Sequence, residues 1–492
     1  MQLSNATLEK AKTTAPGYDR DAMGIGIVHF GPGAFHRAHQ AVFTEDAIEK
    51  SGGDWGICAV SLSSARAAKA LTPQDGLYTL AIRDKIPEFR VIGAIKRVLF
   101  AKEERAIVMD VLCAPSTKFV TLTITEKGYA LTGDGTLDVS NPMVKADIEN
   151  PDAPVSAMGY IVAASAKRRA AGTAPLTIIS CDNLPGNGDK LKAACVALAA
   201  KTDPDLADYL SREVRFPNTM VDSITPATDD SVLRLVEEAT GLSDHGAVQR
   251  EAFAQWVIED TLPADRPDWS GAGAIITDDV EGYETTKLRI LNGAHSTLTY
   301  LGLLAGIETV EDAINHPHLR SFVDGLIRKE TIPTITAPRG LDLPAYWVSI
   351  IARFENPHIR HNLEQISHDG SQKIPARIFP VIEYHAAKGH VAKRACYVAA
   401  AWIEFTRQRR AAGRPPVDGF LSHNESALPD TSLCAKDYGE AFLENANLIP
   451  DFIRSNADVR STIIADCISI DKDGVMTPLT PHSDGPKRMT KL

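Results

Sequence analysis

Gly24-Ile25-Gly26-Ile27-Val28-His29-Phe30-Gly31-Pro32-Gly33-Ala34-Phe35-His36 is the stretch that decides the fold. Its first seven residues read as a short buried strand, which stops at Gly31-Pro32-Gly33. From Phe35 to Lys50 the apolar residues, Ala38, Val42 and Ile48 among them, recur at helical spacing. A second strand is expected at Ile57 to Leu62, completing a β-α-β unit of the size that binds half a dinucleotide. Gly31 and Gly33 let the backbone approach a pyrophosphate, and Ala34 and Phe35 open a helix whose first N–H groups face that anion. His36 stands where the third glycine of the usual fingerprint would be, so the motif alone also fits a plain strand-to-helix turn.

Outward from this unit, β-branched runs at Phe119 to Thr125 and Leu176 to Ser180 leave directly into Glu126-Lys127-Gly128 and Cys181-Asp182-Asn183. Such polar strand ends form the ligand crevice of a parallel sheet, which makes Thr125, Glu126 and Asn183 candidate binding residues. Helical segments such as Ser156 to Arg169 and Leu191 to Lys201 separate the strands. After about Glu281 helical patterns dominate, at Thr285 to Leu304, Leu343 to Phe354, Arg377 to Ala387 and Ala392 to Arg410, while strand signals thin out. The expected architecture is α/β: a Rossmann-type nucleotide-binding domain over residues 1–280, and a mainly α-helical substrate-binding and catalytic domain over 281–492. From Asp471 the chain reads as a turn-rich tail.

A chain of 492 residues exceeds one ordinary core, which agrees with two domains. With 44% hydrophobic and 23% charged residues it is ordinary for a globular protein, and a net charge of −11 argues against a general nucleic-acid or anionic-membrane binder. Seven scattered cysteines with no CxxC pair suggest reduced thiols in the cytoplasm and offer no structural zinc cluster. No apolar run reaches the roughly 20 residues that span a bilayer.

The chemistry concentrates in Tyr283-Glu284-Thr285-Thr286-Lys287-Leu288-Arg289-Ile290-Leu291-Asn292-Gly293-Ala294-His295. At about 100° per residue, Lys287, Asn292 and His295 fall within an arc of about 140° shared with Leu288, Leu291 and Leu298. That places a lysine, an amide and an imidazole on a buried face, which is costly unless they meet hydrogen-bonding partners. Oxidising a secondary alcohol needs a base for the hydroxyl proton, and desolvation can bring a lysine toward neutrality for that task. Asn292 and His295 can donate to the oxygen as charge develops, and Glu284 can pass the proton onward. Glu284 with Lys287 is equally the spacing of a surface ion pair. Tyr283 and Lys287 have the spacing of the short-chain dehydrogenase pair, but in chains about half this length. Asp222 and Lys373 are further polar groups at strand ends or turns, suited with Asn183 to a polyhydroxylated ligand. Beyond the second strand the sequence Ser63-Ser64-Ala65-Arg66 has no acidic residue for the adenosine ribose; Arg66 could instead meet a 2′-phosphate, or simply start a helix.

These residues resemble the polyol-specific long-chain dehydrogenases, the mannitol dehydrogenase family. The similarity runs through Gly33 to Gln40, Thr123 to Tyr129, Ser180 to Asn183, Gln255 to Asp260, Lys287 to Tyr300 and Asp369 to Pro375, nearly the whole chain. It implies a two-domain fold with the active site in the cleft, and a metal-independent reaction with Lys287 as general base and Asn292 and His295 polarising the substrate oxygen. It further implies that Asn183 assists, that Asp222 and Lys373 hold substrate hydroxyls, and that Glu284 lies on the proton exit route. NAD is the family's usual cofactor; Arg66, where the family places an acid, leaves NADP open. Mannitol-oxidising members carry an arginine where this chain has Gln365. Gln365 with Arg360-His361 upstream resembles the fructuronate-reducing members, in which a cation must meet the sugar-acid carboxylate. The expected substrates are D-fructuronate and D-mannonate, with D-mannitol and D-fructose the alternative, and the expected assembly is a monomer. A nucleotide or sugar sensor without catalysis, and a zinc-dependent dehydrogenase, are the competing classes.

Overall fold

The structure is a computed structural model and describes residues 1–479 other than 134, 360 and 416. The chain divides into two compact units, Met1–Glu281 and Gly282–Leu492.

In the first unit five parallel strands form the main sheet: β1 (Ile25–Phe30), β2 (Gly56–Ser61), β5 (Ile95–Phe100), β6 (Phe119–Leu122) and β7 (Thr177–Ser180), in the order β5-β2-β1-β6-β7. Alternation along β1 fixes which side each residue faces. Val28 and Phe30 join Val60, Val120, Leu122 and Ile178 under the helices Ala101–Cys113, Ala157–Ala170 and Asn187–Ala199. Ile27 packs on the other side with Ile57, Phe119, Ile179, Trp256 and Trp269. Both faces are covered, so the strands are largely apolar, as expected of a parallel sheet.

Two three-stranded sheets complete this unit. One is β4 (Glu88–Ile92), β3 (Tyr78–Arg83) and β9 (Val248–Glu251); the other is β11 (Ile275–Thr277), β10 (Gln255–Glu259) and β8 (Thr219–Asp222). The expected helix from Phe35 to Lys50 is two helices, α1 (Ala34–Ala38) and α2 (Gln40–Ser51). His39 breaks it at φ −128 and ψ −89, with its ring nitrogen Nε2 held by the carbonyl of Gln255 in β10 at 2.9 Å.

The second unit is helical, with no strand among its described residues. Its centre is the helix Gly293–Leu304, buried on every side from Gly293 to Gly302 and packed among the helices Leu343–Phe354, Gly370–Arg377 and Lys393–Ala411. Each fully buried side chain such as Leu298 or Leu301 contributes roughly 1.5–3 kcal/mol. Two expected helices are interrupted. The segment Thr285 to Leu304 is an α-helix to Thr286, a π-helical turn over Lys287–Asn292, and the helix from Gly293. The segment Arg377 to Ala387 is cut at Ile378, because Pro380 lacks an N–H and its ring clashes with the carbonyl four residues back. The helix Ala457–Asp473 also runs slightly past Asp471, where a tail was expected to begin.

Candidate active site

In the first unit the parallel strands all end on one edge. Chain order reverses at β1, with β2 on one side and β6 on the other, and that switch point is where an open α/β sheet takes its ligand. The β1 exit is the glycine turn. Gly31 has φ +91, and a Cβ there would lie 2.1 Å from the Thr123 carbonyl, so only glycine fits. Gly33 is different: its φ is −71, it is exposed, and the nearest atom to an added Cβ is the Gly31 carbonyl at 3.8 Å. The fold does not require glycine at 33; the space beside it is open, which lets a pyrophosphate approach the backbone. The residues present therefore fit a dinucleotide.

The neighbouring exits are joined through Asp182. Its carboxylate accepts from the N–H groups of Ile124 (3.2 Å) and Thr125 (2.7 Å) and from the Tyr129 hydroxyl (2.8 Å), tying the β7 exit to the β6 exit. Burial raises its pKa despite these donors. Thr125 takes φ +65, rare for a threonine, and the exposed Glu126 starts a short turn after it. Asn183 is exposed just beyond Asp182, and Asp222 is buried at the end of β8, opposite Gln255. Phe35 stacks on His39 at 5.0 Å. At the β2 exit Arg66 is exposed at the start of the helix Arg66–Leu71, its N–H on the Ser64 hydroxyl at 3.2 Å. Sequence reasoning missed Asp182 and the neighbouring Asn187 as organising residues, although the polar run after an apolar strand marked the place.

In the second unit Lys287 and His295 are each only 8% exposed, Asn292 and Glu284 are half-buried, and Ile290, Leu291 and Leu298 pack into the core beside them. The π-helical turn changes their spacing. At the α-helical pitch Asn292 would point about 140° away from Lys287. With hydrogen bonds running i to i+5, residue 292 comes back over residue 287 and the three polar groups converge more closely.

His295 stacks on Phe354 with ring centroids 4.6 Å apart and meets His361 edge-on at 5.2 Å. Its Nε2 and the Nδ1 of His361 are buried without a protein partner. Burial first, then the charges of His361, Arg377, Arg353 and Lys287, hold the His295 pKa well below the ordinary value, so the ring is neutral and can donate from one nitrogen only. The charged neighbours acting on it are all cationic.

Arg377 donates through Nη1 to the Ser296 hydroxyl (3.1 Å) and the Asn292 carbonyl (3.4 Å), and burial lowers its pKa to about 10. Lys373 reaches the Ile366 carbonyl at 3.1 Å, and its charge, after burial, lowers the pKa of His361. Its helix is locked at its first residue, Gly370, where a Cβ would lie 2.3 Å from the Tyr300 hydroxyl and 2.6 Å from Trp402 Nε1. Arg360 lies outside the described residues. Arg353 and Arg377 were not singled out in the sequence, where nothing distinguishes them from surface arginines. Among the described residues no group of three histidine, cysteine or acidic side chains could hold a metal ion, all seven cysteines are free, and no helix is long and apolar enough to cross a membrane.

A Rossmann unit with a glycine turn at its switch point, and a helical unit with a buried lysine and imidazole beside a half-buried amide, define an oxidoreductase acting on secondary alcohols. The family models of the mannitol dehydrogenase Rossmann domain and C-terminal domain match residues 25–271 and 279–470. The D-mannonate oxidoreductase of Escherichia coli (strain K12) is 38% identical over 458 residues, covering 92% of this chain and 94% of that protein. The polyol:NADP oxidoreductase of Gluconobacter oxydans (strain 621H) is 39% identical over 373 residues, 74% of this chain and 76% of its own. The solved mannitol 2-dehydrogenase of Pseudomonas fluorescens, in ternary complex with NAD and D-mannitol, superposes with a TM-score of 0.84 at 34% identity, over 97% of this chain and 99% of that one. The chain belongs to the mannitol dehydrogenase family.

Proposed function

We propose that this chain is a cytoplasmic, monomeric, metal-independent dehydrogenase that interconverts D-mannonate and D-fructuronate with a nicotinamide cofactor. The observation that carries the sugar-acid reading is the charge around His295: the guanidinium groups of Arg353 and Arg377 act on one neutral imidazole, an environment that favours an anionic substrate. The D-mannonate oxidoreductase relative, matched over nearly its full length, supports it. The mannitol-bound relative favours a second reading, D-mannitol and D-fructose.

In this reading Lys287 takes the hydroxyl proton of the alcohol, and Asn292 and His295 donate to the same oxygen as negative charge develops. Glu284 passes the proton to solvent, Asn183, Asp222 and Lys373 hold hydroxyls, and His361 and Arg360 stand by the carboxylate together with Arg353 and Arg377. The bound nicotinamide supplies the hydride acceptor. Gly31, Gly33, Ala34, Phe35, Thr125 and Glu126 hold the dinucleotide, NAD as in the solved relative; Arg66, with no acid beside it, admits NADP as well.

Three measurements test this. Specificity constants for D-fructuronate and D-fructose, each with NADH and NADPH, should favour the acid; a preference for fructose would move the assignment to the polyol reading. Lys287→Ala should lose about 10²–10⁴-fold in kcat while binding NADH normally. Unchanged turnover would remove Lys287 as the base, and activity lost on dialysis against a chelator would remove the metal-independent reading.

A further inference from the structure

His29 lies in β1 at the switch point, and its ring bonds the neighbouring strand β6 and the turn that follows β1. Nδ1 is 2.7 Å from the Thr121 hydroxyl of β6, the residue in register with it. Nε2 is 3.2 Å from the Gly31 carbonyl and 3.0 Å from the Thr123 hydroxyl. A carbonyl only accepts, so Nε2 carries the proton and Nδ1 accepts from Thr121. The Gly31 carbonyl thus receives three donors: His29 Nε2–H, the Thr123 hydroxyl at 2.6 Å and the Gly33 N–H at 2.6 Å. These contacts set the sharp reversal at Gly31 and lock it to the β6 exit.

His36, standing in place of the third glycine, lies flat on His29, with ring centroids 3.3 Å apart and planes 12° from parallel. Both its nitrogens are buried without a partner, so its contribution is its ring face. The two rings differ in kind: one hydrogen-bonds the turn, the other only covers it. Burial pushes the His29 pKa down to about 3, so its single donor proton persists at every working pH.

We propose that His29 is a positioning residue for the cofactor: through the Thr121-fixed tautomer it holds the Gly31 carbonyl inward, so that the turn keeps the space beside Gly33 open to the dinucleotide. This rests on reading Gly31 to Phe35 as the dinucleotide turn. His29 touches neither reacting atom, so its loss should appear in cofactor affinity and leave the chemical step alone.

The test is NADH and NADPH binding by fluorescence titration on the full chain, beside kcat. Removing one hydrogen bond of ordinary net strength predicts a Kd raised about five- to tenfold in His29→Phe, with kcat at saturating cofactor within about twofold. His29→Gln, whose Nε2 occupies nearly the same place, should restore most of the affinity, whereas His29→Asn, which places its donor at the Nδ1 position, should not. Thr121→Val, a near-isosteric change that keeps the fold, should raise Kd about two- to fivefold by releasing the tautomer. His36→Phe should bind as the wild type does. Wild-type Kd in both His29→Phe and Thr121→Val, equal loss in His36→Phe, or failure of the Gln variant to outperform Asn would overturn the proposal. A wild-type chain that binds neither nucleotide would refute the cofactor reading itself, and this inference with it.

Discussion

Asn187 and Thr219 exchange two hydrogen bonds: the Thr219 N–H donates to Asn187 Oδ1 at 2.9 Å, and Asn187 Nδ2 donates to the Thr219 carbonyl at 3.0 Å. The same amide nitrogen lies 3.0 Å from the Asp182 carbonyl, so one fully buried side chain fastens the β7 exit to β8. Asn183 and Asp222, the proposed hydroxyl-binding residues of this unit, hang from those two elements. Asn187→Ala strands several buried backbone groups and should cost about 2–4 kcal/mol. In the folded fraction KM for the sugar should rise more than KM for NADH. A change confined to NADH would show that Asn187 serves the other end of the sheet.

Gly370 has no room for a methyl group between the Tyr300 hydroxyl and the Trp402 indole. Gly370→Ala must displace one aromatic or shift the helix that carries Lys373, an overpacking cost of about 1–3 kcal/mol. The unfolding midpoint should fall and KM for the sugar should rise, with NADH affinity unchanged. A variant as stable as wild type would mean the Asp369-Gly370-Ser371 segment yields more easily than its contacts suggest.

The Rossmann opening was legible because an apolar run that stops at two glycines and leads into helical spacing fits little besides a strand, a tight turn and a helix. The central helix was legible because its apolar residues recur over its 12 residues. What escaped has physical causes. The strands β3 and β9 are short and pair across 168 residues, as in Leu80 with Val248, so no local pattern announces them. The π-helical turn is invisible because Lys287–Asn292 alternates polar and apolar side chains in an order that fits either pitch. His29 read as one more strand residue, since only the register with Thr121 reveals its partner. Arg353 and Arg377 acquire meaning from packing beside His295, which sequence order does not record.

Glu45 gives the fold a pH dependence of definite sign. Burial raises its pKa from 4.5 to about 7, although the Tyr18 hydroxyl and the Gly93 N–H both donate to its carboxylate. The folded state holds the proton more tightly than the unfolded chain, so between those values the unfolded state binds fewer protons and stability declines as pH rises. The contribution is complete below pH 4.5 and gone above pH 7. Glu45→Gln should therefore gain on wild type with rising pH, by roughly 3 kcal/mol at pH 8 at 1.36 kcal/mol per pKa unit. Unfolding midpoints at pH 5 and pH 8 for both proteins measure this; parallel shifts would show that the carboxyl titrates normally.

Arg377 links the turn to the surroundings of His295, because one guanidinium both holds the end of the π-helical segment and adds charge beside His295. If its main work is to hold the Asn292 carbonyl and the Ser296 hydroxyl, Arg377→Met should depress turnover on an acid and on a neutral polyol alike. If its charge meets a carboxylate, the acid should suffer more, roughly ten- to hundredfold in kcat/KM, since a charge-assisted bond is worth about 1.5–3 kcal/mol. The cationic setting of His295 favours the second outcome. Arg377→Lys separates the contributions further: it keeps a charge but loses the planar fork, so it should recover part of the activity on the acid without restoring the turn. Specificity constants of the three proteins for D-fructuronate and D-fructose decide the matter, and an equal loss on both substrates would leave Arg377 as a support of the turn and withdraw it from the carboxylate.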